Sequence, residues 1–363
     1  MKKNILFLSL AILFACSGPK ENVGPTAILI SNVNILDVSD GRINENMQVV
    51  IDSGIIKKIT KVIDAAEKYP VQIDGKGQFL IPGLAEMHAH IPEPPTPQQR
   101  IEETLFLYLS NGVTTIRGML GHPSQLELRE RAKDGSLLSP RIIVSSPSFN
   151  GHTATTKEQA INLVNQYKNE GYDFLKIHPG VSLEAFDQLV QTAREVNIPF
   201  AGHVPVEVGI RHALKSKYAS IDHVDGYLEG LVPDSEGVAP SDNGFFGYNF
   251  TSLADTAQID ELVRLSKENE VWVVPTQSLF ERWFAPIASD ELMQQPEMKY
   301  MPTSILENWK NGKDRMTGPN SNFNKVQWEE FITIRKQLIR KLQDGGHGLL
   351  LGSDAPQIFN VPG

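Results

Sequence analysis

The sequence predicts an α/β fold: a (β/α)8, TIM-like barrel behind a small N-terminal β-sandwich domain. Three observations predict it. From residue 81 onward, short apolar segments of strand character alternate with stretches of helical period, and eight such segments follow one another. Residues 27–80 instead hold short β-branched runs broken by Asp and Gly turns. The chain has 363 residues and is 40% hydrophobic, enough for one large core beside a small one.

The first residues stand apart from the fold. "MKKNILFLSLAILFACSG" places Lys2 and Lys3 before an apolar run from Ile5 to Ala15, which has the length of a signal-peptide core and is too short to span a bilayer. Residues 1–15 are therefore read as a signal peptide. Leu13-Phe14-Ala15-Cys16 resembles a bacterial lipoprotein cleavage box, so Cys16 is the expected lipidation site. With Ser17 behind it, the resemblance implies an anchor in the outer membrane, facing the periplasm or the exterior. Residues 16–26 read as a tether. Cys16 is the chain's one cysteine. A mature protein then has no disulfide and no thiolate, and any metal site must use His, Asp, Glu or Lys. The net charge is −9 and no basic patch stands out, which argues against nucleic acid as a partner.

Within residues 27–80, "AILISNVNILDVSDG", "MQVVIDSGIIKKIT" and "VQIDGKGQF" supply the small β-domain. The barrel, residues 81–363, is read from "FLIPGLAEMH", "VTTIRGML", "RIIVSSP", "DFLKIHP", "PFAGHVP", "ASIDHVD", "VWVVPTQ" and "GLLLGSDAP". Ile101, Leu105, Tyr108 and Leu109 keep a helical period after the first strand. Ala160, Leu163, Val164 and Tyr167 do so after a capping box at Thr156 and Gln159. Phe186, Leu189, Val190 and Ala193 mark another helix, and Ile259, Leu262 and Val263 one more. Two connections are long, Leu228 to Asp255 and Ser278 to Gly346, and excursions of that length on a barrel shape the substrate pocket.

Active sites of such barrels lie at the C-terminal ends of the strands, and the polar residues collect there. His88 and His90 leave the first strand on one side, because a strand sends residues i and i+2 to the same face. Two imidazoles so placed can clasp one metal ion. Lys176 and His178 sit in the fourth strand, His203 ends the fifth, His223 the sixth and Asp354 the eighth.

These motifs together, "LIPGLAEMHAH", "NGVTTIRG", "DFLKIH", "AGHV", "SIDHVDG" and "GSDAP", resemble the metal-dependent amidohydrolase superfamily. The nearest likeness is to the group related to imidazolonepropionase and to Xaa-Pro dipeptidases. The resemblance implies that His88, His90 and Asp354 hold a first divalent metal and that His203 and His223 hold a second. Both are taken as Zn2+. Lys176 matches the lysine that carbon dioxide carboxylates into a bridging carbamate. An ammonium beside two dications is disfavoured, so its pKa must fall and the neutral amine becomes available. A metal-bridging hydroxide then attacks the carbonyl of a small peptide or cyclic amide, with Asp354 as the proton shuttle and catalytic residue.

Four further residues are candidate substrate contacts: His152, His178, Tyr227 and Arg117. Relatives carry Asp after this arginine, whereas Gly118 stands here. Two other readings remain at this point. One is a mononuclear hydrolase of cyclic C–N bonds, of imidazolonepropionase or deaminase type. The other is a lipoprotein that binds metal or solute without catalysis. The implied partners are a small-molecule or short-peptide substrate and a membrane, with oligomerisation open. The chain stops a few residues past the eighth strand. A barrel needs a helix there and relatives return to the small domain, so the expectation is a C-terminally truncated chain whose β-sandwich lacks its last part.

Overall fold

The structure of the chain, a computed structural model, describes residues 23–346 and 348–362. The expected signal peptide, Cys16 and most of the tether lie outside the described residues. Two compact units divide between Pro82 and Gly83.

The first unit is built on Ile28–Leu36 (β1), Ile43–Asp52 (β2), Ile55–Thr60 (β3), Val71–Asp74 (β4) and Phe79–Leu80 (β5). They form one sheet in the order β3-β2-β1-β4, with β5 beside β1; the second layer that the expected sandwich needs is not among the described residues. β2 and β3 meet at a two-residue turn on Ser53 and Gly54, both with positive φ (53° and 74°). That is the mirror-image turn whose twist suits a hairpin. Ala27, Leu29, Val50 and Tyr69 form the buried apolar cluster of this unit.

Here one expectation needs correction. The run from Phe79 to Met87 is not one strand. Phe79–Leu80 pairs with β1, and a new strand begins only at Leu84. Pro82 has no N–H for a ladder, and Gly83 follows where a Cβ would stand 2.1 Å from Thr114 Oγ1.

The second unit carries Leu84–Ala89 (β6), Val113–Gly118 (β7), Arg141–Phe149 (β8), Phe174–Ile177 (β9), Phe200–Gly202 (β10), Ser220–Asp222 (β11) and Trp272–Val274 (β12). They form a parallel sheet in sequential order, β6 to β12. The expected eighth strand, "GLLLGSDAP", is not a regular strand, yet it occupies the eighth place. Val273 N donates to Gly348 O (3.1 Å) and Leu350 N to Val273 O (2.9 Å) on the β12 side. On the β6 side Met87 N donates to Leu351 O (2.8 Å), Asp354 N to His88 O (3.0 Å) and His90 N to Ala355 O (2.7 Å). The segment therefore closes the ring. Gly352 permits this approach, since a Cβ there would stand 2.2 Å from Val274 Cγ1 and 3.1 Å from His88 Cβ.

The helices are Gln98–Ser110 (α1), Pro123–Asp134 (α2), Lys157–Glu170 (α3), Leu183–Glu195 (α4), Gly209–Lys215 (α5), Ile259–Glu268 (α6), Gln277–Arg282 (α7), Ser289–Leu292 (α8), Thr303–Thr317 (α9) and Lys325–Asp344 (α10). Their apolar stripes, such as Phe186, Leu189, Val190 and Ala193 on α4, are buried. Thr156 caps α3 by accepting from Gln159 N, as expected. The Gln159 side chain returns to Thr155 N rather than to Thr156 N, so the box is displaced by one residue. The excursion from Leu228 is a chain of 3-10 turns. The one from Ser278 is mostly α8, α9 and α10.

Candidate metal centre

His88 is the last residue but one of β6 and His90 lies directly past its end at Ala89, their ring centroids 5.5 Å apart. The closing segment brings Asp354 against them. Asp354 Oδ1 lies 2.6 Å from His90 Nε2 and 3.3 Å from His88 Nε2. One donor atom from each of the three falls within 4.8 Å of the others. The backbone bonds Asp354 N to His88 O and His90 N to Ala355 O fix this register. A buried carboxylate braces it from beneath. Glu86 accepts from His88 N (2.9 Å), Ser353 N (2.9 Å) and Ser353 Oγ (2.7 Å), tying β6 to the closing segment. Asp354 has φ 66°, a strained value for a residue with a Cβ.

The second group faces the first across the mouth. The His223 ring lies 4.5 Å from that of His88 and 4.7 Å from that of His203. Each of this pair is oriented through Nδ1. His203 Nδ1 is 3.0 Å from Asp225 Oδ2, and His223 Nδ1 is 2.7 Å from Thr276 Oγ1. His223 Nδ1 also stands 3.9 Å from Asp354 Oδ2. Both Nε2 atoms keep a free lone pair, and a partner on one nitrogen of an imidazole is what orients the other toward a metal. Lys176 is fully buried and its Nζ donates to Asp222 Oδ2 at 3.0 Å. Asp222 also meets Arg117 Nη2 at 3.3 Å and stands 3.2 Å from His88 Nδ1. That last contact lacks hydrogen-bond alignment, so the His88 Nδ1 atom is buried without a partner.

Burial dominates the electrostatics. It pushes the His88 imidazole down to about 4 against the pull of Asp354 and Asp222, and it holds His223 well below the usual histidine range. Burial also lowers the Lys176 ammonium, opposed by Asp222. For the two carboxylates burial acts upward and is outweighed. Lys176 and His88 hold Asp222 well below its ordinary value, and His88 and His90 hold Asp354 below its own. The neutral His88 and His223 imidazoles beside the ionised Asp354 fit a divalent cation of zinc type, which takes deprotonated N and O donors.

The four expected substrate contacts separate. His178 stays beside the site: it stacks on His203 (centroids 5.1 Å, 28°) and its Nδ1 has no partner. His152 is exposed in the turn after β8. Tyr227 and Arg117 require correction, because both are sealed in protein. The Tyr227 hydroxyl bonds Ser266 Oγ on α6 at 2.6 Å. Arg117 donates to Met87 O (2.9 Å) and Ser220 Oγ (2.7 Å) besides Asp222, so its guanidinium braces the barrel interior. The residues missed are the orienting ones: Glu86, Asp222, Asp225 and Thr276. The signal for two of them was present, since "SIDHVDG" sets an aspartate directly before His223 and another two residues after it.

The excursion after β11 adds an apolar wall. Phe246, at φ 52°, lays its ring 5.1 Å from His223 and 5.8 Å from His203.

Comparison with known proteins agrees with this arrangement. Residues 79–279 match the amidohydrolase family. A dihydroorotase of Carboxydothermus hydrogenoformans is 45% identical over 67 residues, 18% of this chain and 15% of that protein. A 5-methylthioadenosine/S-adenosylhomocysteine deaminase of Caldanaerobacter subterraneus is 30% identical over 115 residues, 31% of this chain and 24% of that one. The matched stretches thus span less than a quarter of these relatives. Among solved structures, bottromycin amidohydrolase superposes with a TM-score of 0.64 at 19% identity, covering 94% of this chain and 71% of its own. A Xaa-Pro dipeptidase with bound methionine gives 0.57 at 19%, covering 91% and 79%. The family match takes in more than half of the chain, and its region contains the His88, His90, Lys176, His203 and His223 of the mouth described above: this protein belongs to the amidohydrolase family.

Proposed function

We propose that this chain is a metal-dependent hydrolase of the C–N bond of a small peptide or cyclic amide. The convergence of His88, His90 and Asp354 within 4.8 Å at the barrel mouth carries this reading. These three residues hold a first divalent ion, and His203, His223 and a carboxylated Lys176 hold a second. Such an ion supplies Lewis acidity, polarising a carbonyl oxygen and acidifying water. Asp354 does the proton work. Its carboxyl is held ionised, so it accepts a proton from the attacking water and returns it to the leaving nitrogen. Phe246 and the stacked His178 border the imidazoles and keep bulk water from one side of the site.

Carboxylation of Lys176 carries a specific cost. It turns the ammonium that neutralises Asp222 into an anion beside it. Only added positive charge offsets that change, so bicarbonate and the second ion must bind together. A mononuclear reading has its own support: the His203–His223 pair finds no third His, Cys, Asp or Glu ligand among the described residues. Elemental analysis of protein purified without chelators, with and without bicarbonate, separates the two. Two ions per chain with bicarbonate supports the binuclear reading, and one ion under both conditions sinks it. Hydrolysis of a panel of dipeptides and cyclic amides tests the activity; a fully metal-loaded protein that cleaves none of them is a binding protein instead. The first sixteen residues support an envelope lipoprotein, and unchanged membrane fractionation of Cys16→Ser would remove that part of the proposal.

A further inference from the structure

The long excursion that ends in α10 reaches back to the site through one buried side chain. Arg335, 1% exposed, sends Nη1 to His223 O (2.7 Å), Nη2 to Pro275 O (3.2 Å) and Nε to Gln277 Oε1 (3.3 Å). Its guanidinium carbon lies over Phe280, 3.4 Å from the ring centre. Among the described residues no carboxylate stands within ion-pair distance of it, so the cation is directed at backbone carbonyls. Burying a guanidinium is costly unless its donors are all used. The two carbonyls it takes are not arbitrary. His223 has φ 63° and Thr276, next to Pro275, has φ 45°. Two strained turns at the ends of β11 and β12 are thereby fastened to one planar group.

The same turns decide the proton on His223. The Thr276 hydroxyl has one hydrogen and donates it to Pro275 O at 2.9 Å. It can then only accept from His223 Nδ1, 2.7 Å away. The network assigns the proton to Nδ1 and the lone pair to Nε2. A free histidine side chain favours the opposite tautomer, so this state must be held by the protein. Pro275 O is shared by Thr276 and Arg335, and the His223 backbone is held by Arg335 on its other nitrogen.

We propose that Arg335 is a positioning residue for His223: it clamps the His223 and Pro275 carbonyls and so keeps the imidazole protonated on Nδ1, with the lone pair on Nε2. The function of that Nε2 as a metal ligand rests on the reading above, whereas the clamp does not. The consequence is that the α10 excursion serves the metal site from behind.

The test is the tautomer of His223 in the full-length, chelator-treated protein with 15N-labelled histidine, read from long-range proton–nitrogen correlations. The wild type shows the proton on Nδ1. Thr276→Val removes the acceptor and gives the reference signal for a released ring. Arg335→Met moves His223 toward that reference, and Arg335→Lys, which reaches one carbonyl but not both, falls between. Should the Met variant fail to fold by circular dichroism, the Lys variant decides. A folded Arg335 variant with the wild-type tautomer overturns the proposal, and so does a wild type with the proton on Nε2. Zinc affinity by chelator competition is measured alongside, with at least a tenfold loss expected for Arg335→Lys. A shifted tautomer with unchanged zinc affinity leaves the clamp standing and removes His223 from the ligand set.

Discussion

The two halves of the barrel mouth are built differently. On the His88, His90 and Asp354 side, the donor atoms point at one another, and among the described residues the carboxylate between them is the partner of His90 Nε2. On the Lys176, His203 and His223 side, each polar group is already engaged with a residue that is not itself a candidate ligand: Asp222, Asp225 and Thr276. The first half holds a complete donor set, with its anion in place. The second holds two oriented imidazoles beside a lysine, and on the binuclear reading proposed above its anion would be made from that lysine. The difference teaches that affinity at the two positions should be unequal and filled in sequence, first at Asp354.

The strongest way to break this picture is Asp354→Asn. Asparagine keeps the size but cannot accept a proton, and a missing general base costs about a hundred- to ten-thousandfold in rate. Because Asp354 is also the sole anion of the first set, metal content at that position should fall as well, though less completely than turnover. Steady-state kinetics with elemental analysis checks both. Turnover near that of the wild type in Asp354→Asn would mean that the proton moves through another group.

Lys176→Met probes the second half. It leaves Asp222 buried with Arg117, the Ser220 hydroxyl and the His88 ring beside it but without its lysine, and removing one partner of a buried pair costs about 3 kcal/mol or more. The variant should melt lower, bind one ion instead of two, and lose its response to bicarbonate. His88→Ala should instead lose the first ion. If both variants lose the same ion, the two halves are one site.

The metal-free protein should also show the asymmetry in its pH dependence. Burial holds the His88 pKa near 4, against about 6.5 in an unfolded chain. Between those values the unfolded state binds the proton and the folded state does not. Stability therefore rises with pH through that window and is lost as pH falls from about 6.5 toward 4. The contribution is on the order of 3 kcal/mol. Thermal melts across this range should show a shallower slope in His88→Asn, and an unchanged slope would mean that His88 is solvated.

What was legible beforehand was the part of the site carried by strand periodicity. His88 and His90 follow from i, i+2 alternation, and Lys176, His203, His223 and Asp354 from their places at strand ends. The closing segment could be read as a strand from its leucines, although its glycine lets it seal the ring without regular pairing. Of the partners that orient these side chains, Asp222 and Asp225 stood in "SIDHVDG", but the way they act was not legible. Asp225 and Thr276 act from turns whose geometry depends on positive φ at His223, Val224 and Thr276, and no local pattern in the sequence announces those values. The break between β5 and β6 was written in Pro82 and Gly83, but the apolar residues around them masked it. Tyr227 misled because a tyrosine four residues past a candidate ligand looks like a substrate contact, whereas here the chain turns it toward α6.

Tyr227 gives the smallest and most discriminating test. Its hydroxyl is 2.6 Å from Ser266 Oγ, and Ser266 Oγ in turn donates to Leu262 O at 2.7 Å. Ser266 has a single hydrogen, so Tyr227 must be the donor of the pair. Tyr227→Phe therefore leaves one serine lone pair unmet and strands no buried proton. A net loss of about 1 kcal/mol is expected, the ordinary worth of such a bond. The ring packing is kept, because phenylalanine fills the same fully buried space. KM, kcat and metal content should stay at wild-type values, since no atom of Tyr227 is open to a ligand. A change of several-fold in KM with an unaltered melting temperature would mean that the hydroxyl leaves Ser266 when substrate binds. The His203 and His223 half of the mouth would then reach the substrate through a residue that the present arrangement turns away.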